Sequence, residues 1–150
     1  PVNIAGDYTL TFVADAACRG LPDALRTRTY EATIATSNNH TTEGPGYMFT
    51  VAGSNYGGSV GVAGDVVGFW FETLTEQLTP NASVGIYGVA SASVAASWPA
   101  EISMSFDGRI EYCESKADSR DFYSCQSQYQ QGVVHASCDS KNHQLILTRR

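Results

Sequence analysis

Gly6-Asp7-Tyr8-Thr9-Leu10-Thr11-Phe12-Val13 decides the fold once it is set against Leu145-Ile146-Leu147-Thr148-Arg149 at the other end of the chain. Both segments alternate large apolar residues, which is the period of a half-buried strand. With Tyr8 placed opposite Arg149 in an antiparallel pair, Leu10 meets Leu147, Phe12 meets Leu145 and Ala14 meets His143. Antiparallel partners share a side, so all four pairs lie on one face. Continued outward, the same register puts Cys18 opposite Asp139, one residue from Cys138. A bulge absorbs a slip of that size, and a disulfide needs Cα atoms only about 5–6 Å apart. First-to-last pairing closes a sheet into a barrel and removes its exposed edges.

The same alternation recurs between these ends. Arg28, Tyr30, Ala32 and Ile34 share a face, followed by strand patterns at 47–51, 59–63 and 66–73. Val84, Ile86, Gly88, Ala90, Ala92 and Val94 form one face of a long run, then come Ile102, Met104 and Phe106, and Ile110 with Tyr112. Turn signals separate them at Gly44-Pro45-Gly46, Gly57-Gly58, Gly64-Asp65 and Pro80-Asn81. Asp107-Gly108 reads either as a hairpin turn or as a bulge inside one strand from Ile102 to Cys113, with the bulge preferred. Only residues 21–25 look helical, and for one short turn. The expected fold is all-β: one domain over residues 1–150, a single closed up-and-down antiparallel barrel of about eight strands.

Composition agrees. Of 150 residues, 43% are hydrophobic and only 16% charged, against about 25% charged in an average soluble protein. Fifteen acidic groups outnumber nine basic ones, for a net charge of −6. Nucleic acid and anionic membrane both select clustered Lys and Arg, so neither is expected as a partner. Apolar runs are too short for a transmembrane segment.

The four cysteines lie outside any C-x-x-C pair, so they read as disulfides of an oxidising compartment, with Cys113 and Cys125 left for each other across a polar loop from Glu114 to Ser124. The expected location is secreted or cell-surface. The start at Pro1-Val2 reads as a lost signal peptide or excision from a larger parent protein. Asn39 and Asn81 each open an N-glycosylation triplet.

Gly6-Asp7-Tyr8 at the start and Leu147-Thr148-Arg149 at the end resemble the lipocalin-like, or calycin, pattern. There a Gly-x-Trp opens the first strand and a basic residue of the last strand packs over the Trp. The resemblance places Tyr8 in the Trp position with Arg149 as its cation–π partner across the closing seam. A closer likeness is to small β-barrel modules of secreted bacterial proteins with no assigned activity. It rests on 6–12, on Cys18 with 21–30, on Glu76-Gln77-Leu78, and on Cys138, His143 and 145–149. It supports the fold and the Cys18–Cys138 bond and transfers no catalytic residue.

Candidate chemistry is sparse. His40, His135 and His143 lack metal-site spacing, so no metal or other cofactor is expected, and His143 reads as a structural imidazole. Glu72 and Glu76 could pair as carboxylates, and Glu114, Asp118 and Asp121 could bind calcium weakly, although solvated positions explain both groups better. No nucleophile motif is present, and no catalytic residue is assigned; a non-enzymatic role is favoured. The aromatic residues give the functional expectation. Phe12, Phe69, Phe71, Tyr87 and Phe106, with Leu145 and Leu147, would line a cavity if Gly88, Ala90 and Ala92 leave room opposite them. The first reading is therefore a secreted barrel that binds a small, mainly apolar ligand in its interior. The alternative is a structural or adhesive module, or a subunit of a self-assembling extracellular surface structure, with a filled core.

Overall fold

The computed structural model describes residues 2–37, 46–51, 54–95, 97–115 and 132–150, with backbone alone for 54–56, 73, 115 and 132–135. Eight strands follow in order: β1 (Gly6–Val13), β2 (Thr27–Thr36), β3 (Gly46–Val51), β4 (Ser54–Ala63), β5 (Val66–Thr79), β6 (Ala82–Ser93), β7 (Glu101–Ser115) and β8 (Gly132–Arg149). Each pairs antiparallel with the next, and β1 pairs with β8, so the sheet is a closed up-and-down barrel. The short helical turn is a 3-10 turn at Asp23–Leu25, with Leu25 buried.

The closing register is the one the two chain ends require. Tyr8 faces Arg149, Leu10 faces Leu147 and Phe12 faces Leu145. Just past the pairing, the Asp15 N–H donates to His143 Nδ1 at 2.9 Å, which holds the chain ends together up to the disulfide. Cys18 and Cys138 are bonded, with Cα atoms 5.7 Å apart. Cys113 is buried and disulfide-bonded, while its expected partner Cys125 lies outside the described residues.

Asp107-Gly108 lies inside β7 as an irregularity between Phe106 and Gly108, not as a hairpin turn. Gly88 sits directly across from Gly108. Its φ of +150° suits glycine, and a Cβ there would come within 2.9 Å of the Phe106 ring. Two strands run further than their patterns suggest. β5 continues past residue 73 to Thr79 because a bulge between Phe71 and Leu74 turns both side chains inward and breaks the alternation. β8 begins at Gly132, long before the Leu145 pattern, and pairs with β7 from its first residue.

Candidate functional site

Phe71 is the centre of the barrel. Strands β1 and β5 stand on opposite sides of an eight-membered ring of strands, yet the Phe71 and Phe12 ring centroids are 5.0 Å apart. Phe106 from β7 lies 5.3 Å from Phe12 and 5.4 Å from Phe71. Phe49 from β3, which the sequence reading passed over, lies 4.7 Å from Phe71. Phe69 stacks beside Phe71 at 6.3 Å. These separations are those of rings in contact, mostly edge to face, and all five side chains are fully buried.

Leu145 and Leu147 also point inward and are buried. Tyr87 does not join them. Val84 and Ile86 take the inward positions of β6, so Tyr87 faces outward beside Arg109, its partner across to β7. Burial against its surroundings still pushes the Tyr87 phenol up to about 12. The room expected opposite Gly88 is occupied by the Phe106 ring, and Phe49 lies in the same way against Gly57 and Gly58.

Polar and aromatic groups lie at both ends of this interior. At one end Arg28, paired with Phe12 in register, forms a two-oxygen ion pair with Glu76. Strands β3 and β4 separate their parent strands, so the pair spans the inside of the mouth. Arg28 also donates to the Ala24 carbonyl of the 3-10 turn, at 3.3 Å. Glu72 is exposed, while Glu76 is engaged by Arg28. At the other end the Tyr8 hydroxyl donates to the Ile4 carbonyl at 2.7 Å, and the edge of Trp98 meets the Tyr8 ring at 6.4 Å. The Arg149 guanidinium carbon stands 5.9 Å from the Tyr8 centroid and its Nη2 donates to Ala5 O at 2.8 Å. Trp98 carried no signal in the sequence because it lies outside any alternating run.

His143 is buried, with Nδ1 accepting from Asp15 N–H and Nε2 facing the Cys138 carbonyl at 3.3 Å. An accepting Nδ1 fixes the neutral ring's proton on Nε2. His143, Cys18 and Cys138 are close enough to share a metal ion, but both sulfurs are consumed by the disulfide and offer no thiolate. His40, Asn39, Asp118 and Asp121 lie outside the described residues, as does the side chain of His135. Asn81 is exposed in the β5–β6 turn.

The outer face carries two features absent from the sequence reading. Arg109 binds Asp139 through two nitrogens, at 2.9 and 2.8 Å, and the buried Glu111 at 3.0 Å. The Arg109 hydrogen bond holds the Asp139 carboxyl below the usual aspartate range. The second is a cleft of about 440 Å³ over β5, β6 and β7, with Trp70, Val89, Ser91, Asp107 and Lys141 among its lining. Trp70 is 45% exposed and Val89 44%, and the two are direct partners across β5 and β6.

The fold and its closing seam define a closed eight-stranded antiparallel barrel consistent with a calycin-like architecture. No family model, curated protein or solved structure matches the chain.

Proposed function

We propose that this chain is a secreted or cell-surface module of structural or adhesive type, a barrel with a filled interior that makes its contacts through the outer face. The observation that carries the reading is the contact of Phe71 with Phe12 across the barrel, closed in by Phe49 and Phe106. A small apolar ligand among Phe12, Phe69, Phe71, Phe106, Leu145 and Leu147 would have to displace those rings and give up their packing. The Arg28–Glu76 pair supports the same view, because it sets a charged bridge across one mouth of the interior. The lipocalin likeness at Tyr8 and Arg149 then concerns how the barrel is closed rather than what it carries. The Cys18–Cys138 bond supports an oxidising compartment.

A titration with a fluorescent long-chain fatty acid tests the reading. The filled barrel gives no saturable signal. One-to-one binding that Phe71→Trp abolishes would overturn it and restore the interior-ligand reading.

A further inference from the structure

We propose that the cleft over β5, β6 and β7 binds a neutral pyranose glycan, with the Trp70 indole as its stacking platform. The inference rests on the reading that this module works through its outer face, and it names the ligand class.

The platform is built by register. Gly61 of β4 pairs with Gly68 of β5, two residues before Trp70. A Cβ on Gly61 would come within 3.1 Å of the indole six-membered ring, and one on Gly68 within 3.0 Å. The outer edge of the indole six-membered ring, at Cζ3 and Cη2, therefore rests over the backbone of these two glycines, while Trp70 stays 45% exposed. A side chain at either glycine would make the ring shift by a few tenths of an ångström. Contact along that edge narrows the positions open to the ring before a ligand arrives, which lowers the cost of binding.

The surroundings select among ligands for a flat aromatic face. Met48, Ser59, Trp70, Val89 and Asp107 form one continuous row across β3 to β7, about 19 Å long at about 4.8 Å per strand. Its apolar members end at a polar rim of Ser91, Ser105, Asp107 and Lys141. Pyranose rings match this layout: their C–H face is apolar and stacks on an indole, while their rim hydroxyls need donors and acceptors in the same plane. Asp107 and Lys141 offset each other at the cleft, and the chain carries −6 overall, so a neutral sugar fits better than an anionic one. A second protein surface would need about 800 Å² on each side, and this row offers only Met48, Trp70 and Val89 as exposed apolar contacts.

Calorimetric titration of the intact chain with cellohexaose, xylohexaose, mannohexaose and laminarihexaose tests the proposal. At least one should bind. Trp70→Ala should lower its affinity at least about tenfold, a loss of about 1.4 kcal/mol. Asp107→Ala, which leaves the platform in place, should also weaken it, and both variants should keep the parent unfolding midpoint. Absence of binding to all four sugars, or binding that survives Trp70→Ala, would overturn the proposal. So would a Trp70-dependent dimer on size exclusion in place of sugar binding, since it identifies a second copy as the occupant. Failure here with a flat fatty-acid titration removes the glycan and leaves the filled barrel standing; a saturable fatty-acid signal that Phe71→Trp abolishes removes the filled barrel itself.

Discussion

Phe71 reaches rings from β1, β3 and β7 at once, so truncating it leaves a hole that no single strand can close. Phe71→Ala should destabilise the barrel by about 3–5 kcal/mol, read as a lower urea midpoint, and should create an interior that takes up benzene, as dry apolar cavities do. Loss of less than about 1 kcal/mol would mean that the centre was already loosely packed. Tyr30 and Tyr87 make a second test at this scale. Burial raises both phenols, Tyr87 to about 12. A raised folded value contributes stability that is fully present below the unfolded value, about 10 for tyrosine, and is lost as pH rises through the folded one. The barrel should therefore weaken above about pH 10, with Tyr30 and Tyr87 ionising only as circular dichroism reports unfolding. Phenolate absorbance that reaches its full amplitude while the barrel stays folded would contradict this assignment.

Individual strands carry two further tests. The Arg28–Glu76 pair links β2 to β5 across the mouth, with side chains 27% and 19% exposed. Removing one partner leaves the other charge poorly solvated, so Arg28→Met should cost about 2 kcal/mol. The double change Arg28→Met with Glu76→Leu should recover most of it, and simple additivity in the double-mutant cycle would sever the proposed link. The Cys18–Cys138 bond joins residues 120 apart in sequence. In the chain-entropy model a loop of that length is worth about 5 kcal/mol, so replacing both by Ser should lower the thermal midpoint sharply while leaving the β1–β8 register intact. Loss of the barrel's strand signal under native conditions would mean that the bond, and not the register, closes the sheet.

At the scale of the molecule, what the sequence exposed and what it hid follow from how far each feature reaches. The β1–β8 seam was legible because both strands alternate large apolar residues without interruption, from Tyr8 to Phe12 and from Leu145 to Leu147. The first half of β8 was not, because its inward positions at Ala136 and Cys138 are small and give no periodic signal. Tyr87 was grouped with the interior phenylalanines by residue type, although the run from Val84 to Val94 already assigns it to the other face. Arg28 and Glu76 could not be paired from sequence, since their strands are not neighbours. The Trp70 platform needed the β4–β5 register, which alone sets Gly61 against Gly68. In the sequence, small residues opposite large ones read as room for a ligand. Here they are the seats of Phe49 and Phe106, because a ring from one strand occupies the space that glycine leaves on another.

Native mass spectrometry of the chain recovered from a secreting host tests the filled barrel most directly. The account predicts the mass of the disulfide-bonded polypeptide, alone or with glycan or further copies of the chain, and no apolar small molecule under gentle desolvation. A small apolar molecule bound one to one and released on collisional activation would contradict it.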